Sequence, residues 1–544
     1  MQDQYGQISF SSLQTFLAGT VSTYTSLGPP SSTFTPSYTG LVTPLSWRSL
    51  EGAFFAEDAI KLTPSLELNL GFRAEFTNGW NEAYGRASNY AFDATGLLQT
   101  QPVVGNSAFS KNNAKLLPAP RVGIAWSPFG WKKTVIRAGA GLYYALIDNL
   151  SYRLDQNGPY NTVDAAKAAV PLATILAGGT GPVTGQKVIP SGVQPDLKTP
   201  TVISYDFKIQ QQIFSNTTLS VGYVGSHGYH EMLSIDANVP SNVVICPASP
   251  CPASYPAGLY FYYTSTAAPL TGTPALANPA VANTTHWFSQ GVSSYNGLEV
   301  DVNHNFSHGL QFRGVYTFSK ALDDGDSMNT SVATNSPAFA SNPLNPLQAD
   351  YGRASFDIRH AATINATYDL PFGHKNAAGD NSWLNAMIGN WQVSGIETLL
   401  SGLPFTPQLS YNPSNDGDTR NPVRPSLNPN FTGSIIQGGT GQYFNPNAFI
   451  APLANTYGNA PRNFLQGPGI AETDLSFAKK FLLTEKFNLQ FKAEFFNLFN
   501  RTNLNNPNPV AFTSATSGPS PTAGVITSTS TSSRQVQFGL KLLW

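Results

Sequence analysis

The stretch RQVQFGLKLLW (534–544) places Val536, Phe538, Leu540, Leu542 and Trp544 at every second position. Gln537, Gly539, Lys541 and Leu543 fill the positions between, and Gln535 precedes them. Side chains alternate sides along a strand, so this spacing predicts a strand over 533–544 with one apolar face and one polar face. Chain termini are usually polar and frayed. A terminus that keeps its alternation through a final tryptophan reads as part of a sheet.

The same period of two recurs upstream. In 66–76, Leu66, Leu68, Leu70, Phe72, Ala74 and Phe76 oppose Glu67, Asn69, Arg73 and Glu75. In 203–210, Ile203, Tyr205, Phe207 and Ile209 oppose Ser204, Asp206, Lys208 and Gln210. Leu298, Val300, Val302 and Phe306 oppose Glu299, Asp301, Asn303 and Asn305. After Ser307-His308-Gly309, the return strand sets Leu310, Phe312, Tyr316 and Phe318 against Gln311, Arg313 and Thr317. Residues 356–370 set Phe356, Ile358, Ile364, Ala366, Tyr368 and Leu370 against Asp357, Arg359, Thr363, Asn365 and Asp369. Residues 487–495 set Phe487, Leu489, Phe491, Ala493 and Phe495 against Asn488, Gln490, Lys492 and Glu494.

A soluble sandwich alternates too, so three further features decide the class. The polar faces carry charges of both signs in mid-strand, as a wet interior allows. Many strands run about ten residues, the length that crosses a bilayer at a tilt. Connections also alternate in length. Short ones fall near 61–65, 128–133, 214–217, 307–309 and 483–486, with a longer one at 371–388. Long ones fall near 77–118, 145–199, 226–293, 320–352, 402–470 and 499–532. Periplasmic turns of outer-membrane barrels are tight and their extracellular loops long. Phe129, Trp131, Phe214, Phe372, Trp391, Phe481 and Phe487 lie near the short turns, as an interfacial aromatic girdle would. The predicted class is all-β: an antiparallel up-and-down transmembrane β-barrel with long extracellular loops.

About fourteen strands are expected, an even number as in bacterial barrels. They lie near 5–10, 50–61, 65–76, 119–127, 133–144, 201–213, 217–225, 294–306, 309–319, 353–370, 389–401, 471–482, 486–498 and 533–544. The pattern slips at Gly395, which predicts a bulge there.

Composition agrees. Charged residues are 11% of 544, with Lys+Arg 30 against Asp+Glu 31, and aromatics are 12%. The balance lacks the basic face of a nucleic-acid binder. No apolar run is long enough for a membrane helix. Nothing reads as a domain linker, so one unit is expected over 1–544. Cys246 and Cys251 share a Pro-rich loop. A small disulfide of an oxidising compartment or two ordinary thiols both account for them. The opening MQDQYGQISF has neither the basic nor the apolar region of a signal peptide.

Several segments resemble a known family. AFFAEDAIKLTPSLELNLGFRAEF (53–76) is similar to a hairpin of TonB-dependent receptors. PRVGIAWSPFGWKKTVIRAGAGLYY (120–144), YVGSHGYH (223–230), FDIRHAATINATYDLPFG (356–373) and GNWQVSGIETLLSGLPFTP (389–407) resemble the Oar-like branch of that family. So do RNFLQGPGIAETDLSFAKKF (462–481) and FKAEFFNLFNRTN (491–503). The terminal strand, with Val536, Phe538, Leu540, Leu542 and Trp544, resembles the assembly signal read by the barrel assembly machinery. The resemblance implies the bacterial outer membrane, a barrel of about 22 strands, an N-terminal plug and a TonB-contacting box. Neither N-terminal part is recognisable, so the chain is expected to be the C-terminal portion of a larger barrel. The TonB complex is then a partner only where the full-length parent carries plug and box.

Motifs for chemistry are sparse. His227 and His230 sit three apart after a strand, a spacing used by metal sites; a plain loop end accounts for them as well. Asp323, Asp324 and Asp326 around Gly325, and Asn415, Asp416 and Asp418 around Gly417, each echo part of a calcium loop without its closing glutamate. No catalytic set, metal site or cofactor motif is assigned. Arg73, Glu75, Arg313, Arg359, Lys492 and Glu494 are the candidates for lining a passage, or for a salt-bridge lattice that stiffens the wall. The long loops are the expected recognition surface for an extracellular ligand. The leading function is energy-coupled uptake of a bulky nutrient; the alternatives are structural or adhesion duty and a passive porin.

Deleting Trp544, or replacing Phe538 and Leu540 with Asp, should block membrane assembly, read as loss of the heat-modifiable band on gels. Insertion of either variant at normal yield would contradict the role given to this strand.

Overall fold

A computed structural model describes residues 7–28, 45–79, 81–128, 133–146, 154, 157–160, 162–166, 170–173, 190–263, 274–325, 339–372, 387–418, 423–482 and 487–544. Its main element is a 15-stranded sheet in which thirteen strands follow one another in chain order. They are β1 (Glu51–Thr63), β2 (Leu66–Thr77), β3 (Leu117–Trp126), β4 (Thr134–Tyr144), β5 (Thr201–Phe214), β6 (Thr217–Ile235) and β7 (Thr285–Ser307). Then come β8 (Leu310–Asp323), β9 (His360–Asp369), β10 (Trp391–Leu400), β11 (Ile470–Leu482), β12 (Asn488–Phe496) and β13 (Gln535–Leu543). Ser191–Val193 and Gly352–Arg353 add short pairings on β7 and β8. Every neighbouring pair along the path is antiparallel.

Directly opposed residues of an antiparallel ladder point to the same face. The register therefore carries one face across the whole sheet. Phe54 opposes Ala74, Leu70 opposes Val122, Val122 opposes Ala140, and Ala140 opposes Tyr205. Farther on, Tyr223 opposes Leu298, Leu298 opposes Phe318, and Phe318 opposes His360. At the far edge Phe491 opposes Leu540 and Phe495 opposes Val536. This face is apolar and in the open: Phe72 is 49% exposed, Phe207 45%, Ile364 49% and Phe538 68%. An exposed apolar band of that extent marks contact with a nonaqueous partner.

A conventional core forms elsewhere, among the long connections. Phe405, Phe444, Phe449 and Phe512 pack in one cluster drawn from the connections after β10 and β12. Ala108, Leu154, Val193 and Trp287 form another, under the connections after β2 and β4. Long connections follow β2, β4, β6, β8, β10 and β12, and a meander puts all of these at one end of the sheet. There their described parts pack into a cap. The crossing at Gly402 and Gly467 is tight, because a Cβ on Gly402 would collide with the Gly467 carbonyl oxygen.

Three expectations need correction. The segment 5–10 is not the first wall strand: Gln7–Ser9 pairs with Thr23–Gly28 in a separate three-stranded sheet, completed by Thr162–Ala166. Its alternation is too short to fix a partner. Gly395 is not a bulge, since it pairs in register with Ala366 and Leu475. The pattern slips there because Ile396 stands on the polar face, opposite Asn365 and Asp474, while Glu397 stands opposite Ile364. The connection expected over 226–293 is shorter, because β6 and β7 keep pairing beyond the apolar band up to Ile235 and His286. Backbone pairing continues there without apolar alternation to announce it. The ladder is irregular at Lys61/Thr63, Gln212/Phe214, Tyr229/Glu231 and His304/Ser307.

Phe444 is fully buried in the cap and far from the exposed band. Phe444→Ala should destabilise the cap by about 3–5 kcal/mol and speed proteolysis within 402–470. The heat-modifiable migration of the wall should not change. Loss of both together would show that wall and cap fold as one unit.

Candidate functional site

The polar face carries most of the lining candidates. Arg73 and Glu75 form an ion pair along β2. Arg313 on β8 meets Asp301 on β7 at 2.8 Å. Lys492 and Glu494 approach at 3.9 Å on β12, and Lys208 reaches Glu299 at 3.7 Å. These half-open pairs are each worth about 0–1 kcal/mol, so their main effect is to neutralise the surface. Arg359 differs from the other five: it precedes β9, and its guanidinium lies 5.9 Å from the ring centroid of Phe318 on the apolar face.

The apolar face also carries polar groups: Asp58 opposite Leu70, Glu397 opposite Ile364, and Lys479 opposite Trp391. Lys479 donates to the carbonyls of Met387 and Gly389 at 3.0 and 2.6 Å and sits 5.1 Å from the rings of Trp391 and Phe481. Phe214, Phe372 and Phe487 are exposed near the same short-turn end. Phe129 and Trp131, expected in this girdle, lie outside the described residues, as does the 483–486 turn. Asp58 stands on β1, the outermost strand of this sheet among the described residues. In the terminal strand, Val536, Phe538, Leu540 and Leu542 all lie on the apolar face, and Trp544 follows it, 88% exposed.

Charged groups lock the cap, and the sequence did not single most of them out. Arg462 is buried and donates to the Asp323 side chain and carbonyl. Arg424 is buried against Asp350 at 3.2 Å and donates to Ser341 Oγ at 2.6 Å and the Ala349 carbonyl at 2.7 Å. Burial lowers the Arg424 pKa, and Asp350 opposes that drop. Arg353 pairs with Asp357 at 2.7 Å. Arg424 and Arg462 line a cleft of about 330 Å³ with Tyr260, Asn345, Tyr351 and Asn459. Only a partner four residues away, as in Arg353–Asp357, could have been read from sequence; the others span long connections.

The motif candidates resolve into structure. His227 and His230 lie within β6 rather than after it, and His230 takes φ 57° at the bulge. Asp416 accepts from Asn412 Nδ2 and Tyr457 Oη, both at 2.8 Å, and from the Asp418 amide at 3.0 Å. The second acidic knot is thus a buried hydrogen-bonded turn, and burial raises the Asp416 pKa. In the first knot Asp323 takes Arg462, and Asp324 accepts from the Val292 amide at 3.0 Å; Asp326 lies outside the described residues. Cys246 and Cys251 are joined in a disulfide within the connection between the paired segments Val243–Ile245 and Tyr260–Tyr262.

A long antiparallel meander with an exposed apolar face, a neutralised polar face and every long connection at one end is the geometry of an outer-membrane wall. The sequence matches the outer membrane beta barrel domain over residues 1–537. The chain belongs to that family. Its place is therefore the outer membrane, and the apolar face is the one that meets lipid. No curated protein matches the sequence. Among solved structures, the chain is similar to a ferric enterobactin receptor, PfeA, of Pseudomonas aeruginosa, with 12% identity and a TM-score of 0.42 over 91% of this chain and 45% of that one. The ferripyoverdine receptor of the same organism gives 10%, 0.41, 92% and 39%. The ferric-catecholate import receptor Fiu of E. coli K12 gives 12%, 0.38, 91% and 49%. The chain spans less than half the length of each.

Burial, reinforced by nearby Glu231 and Asp350, raises the Asp324 carboxyl to about 6. An unfolded aspartate ionises near 4, so between about pH 4 and 6 the native cap holds the extra proton. Cap stability should fall as pH rises through that window and level off above it. Asp324→Asn should remove the slope, followed by protease resistance of the cap at pH 5 and 7.5. An equal wild-type-to-variant difference at both pH values would contradict the assignment.

Proposed function

We propose that this family member is the wall and extracellular cap of an uptake receptor of the TonB-dependent type, serving energy-coupled import of a bulky nutrient. The observation that carries the reading is the division of labour along the strands. A lipid-facing wall holds a separately packed cap at the long-loop end, and loops on a rigid scaffold are where recognition concentrates. The resemblance of 53–76, 356–373 and 491–503 to the receptor family supports it. The structural or adhesion reading uses the same cap without a passage, and the porin reading uses the wall without a plug.

We also propose that the wall is completed by further strands. Among the described residues, β1 pairs only with β2 and β13 only with β12. Each unsatisfied backbone group in hydrocarbon costs several kcal/mol. In a meander of thirteen strands the first and last run in the same direction, so their direct union would be parallel. Antiparallel closure takes an odd number of additional strands, consistent with the even totals of bacterial barrels.

The test is the reading frame upstream of Met1 joined to a transport assay. An in-frame plug with a TonB box, and nutrient uptake that stops when TonB is deleted, is the expected result. A secreted, membrane-inserted protein without a plug, or uptake indifferent to TonB, would overturn the receptor reading. Protease added to intact cells should also cut within 236–284 or 402–470. Cleavage confined to the 308–309 turn would reverse the orientation.

A further inference from the structure

The polar face is uneven. Around β2 to β5 its side chains give way to glycines: Gly71 and Gly141 both oppose Arg121, and Gly123 opposes Gly139. Gly71, Gly123 and Gly139 are half-buried, a condition that suits close approach of a ligand, while Gly141 is covered by Arg121 and Tyr143 and the Asp206 carboxylate lies over Gly139. The result is a depression of about 430 Å³. Arg121 is the one cation among its lining residues. The Tyr143 ring lies 4.5 Å from its guanidinium carbon and holds the group in place.

Arg121 differs from the other arginines of this face. Arg73 has Glu75 and Arg313 has Asp301, while Arg137 donates to Gln210. Among the described residues Arg121 makes no ion pair, and its Nε is buried without a hydrogen-bond partner. Carboxylates do line the depression. Glu57 stands opposite Gly71 on β1, and Asp206 stands opposite Gly139 on β5. The Glu57 backbone is two strand spacings from that of Arg121, about 10 Å across the sheet, with both side chains leaning over Gly71. Asp206 is also two strands away, offset by two residues. The wall therefore keeps one positive group between two negative ones, with glycine backbone between them. A group placed on that floor can meet both signs at once.

We propose that this glycine-floored slot binds small dipolar solutes, an amino acid or the end of a short peptide, with the carboxylate on Arg121 and the ammonium on Asp206 or Glu57. The slot rests on the receptor reading, in that it lies on the wall's inner, wet face. Tyr143 adds an apolar plate beside the carboxylate site. The glycines are then what admits the ligand: a Cβ on Gly139 would lie 2.8 Å from Asp206 Oδ1, and one on Gly141 would lie 3.1 Å from the Tyr143 ring and from Arg121 Cγ.

The test is calorimetric titration of the full chain, folded in detergent, with glycylglycine. Binding is expected at millimolar concentrations. Arg121→Gln should weaken it about tenfold or more, the scale of a lost hydrogen bond to a charged group, and Gly139→Val should do the same by filling the slot. Asp206→Asn should weaken glycylglycine but not N-acetylglycylglycine, which lacks the ammonium. Arg313→Gln, a paired arginine of the same face, should leave binding unchanged. No binding to the folded wild type, or equal losses for Arg121→Gln and Arg313→Gln, would overturn the slot. Heat-modifiable migration, read separately on each sample, reports on the barrel and not on the slot, so the two failures are distinct.

Discussion

The structure depends on one constraint: every backbone amide and carbonyl that crosses hydrocarbon needs a partner within the sheet. An antiparallel meander supplies those partners through consecutive hairpins. Side chains are then free to answer to two media, lipid on one face and water on the other. This accounts for a protein that leaves Phe72, Phe207 and Phe538 in the open while Phe405, Phe444 and Phe449 are buried. The first group is buried by the membrane and the second by the cap. The same constraint makes the outer sides of β1 and β13 the least settled backbone in the wall.

Charge follows that division. On the wet face, pairs such as Arg313–Asp301 cancel without adding much stability, because they remain partly in water. In the cap the ion pairs are buried and behave differently. Removing one partner of Arg424–Asp350 or Arg462–Asp323 would leave an uncompensated buried charge, which costs roughly 3–5 kcal/mol. These pairs tie the end of β8 and the segment after it to the connection that follows β10. The polar bonds of the cap therefore specify how long connections are arranged on a wall that is itself set by backbone pairing.

The wall was legible in the sequence because its rule is local. A period of two in 66–76 or 203–210 is visible without knowing the partner strand, and the register then followed it across the sheet. Where the rule lapses, reading failed for identifiable reasons. Ile396 and Glu397 exchange faces, which mimics a bulge at Gly395. The outer ends of β6 and β7 pair without apolar alternation, so their sequence is indistinguishable from loop. Residues 7–9 are too few to reveal which sheet they join. Of the candidate lining residues, Arg73, Glu75, Arg313, Lys492 and Glu494 lie on strands that fix their face, whereas Arg359 lies just outside one. Arg121 escaped notice because its significance comes from the glycines opposite it, and neighbours across a sheet are not written in one segment.

The central claim is that alternate residues of one strand face lipid and water. Spin labels placed singly at residues 203 to 210 in the membrane-inserted protein test it most directly. Collision with oxygen, which concentrates in hydrocarbon, should peak at 203, 205, 207 and 209, and collision with a water-soluble nickel complex at 204, 206, 208 and 210. Equal accessibility at all eight positions, or the two patterns exchanged, would contradict the account.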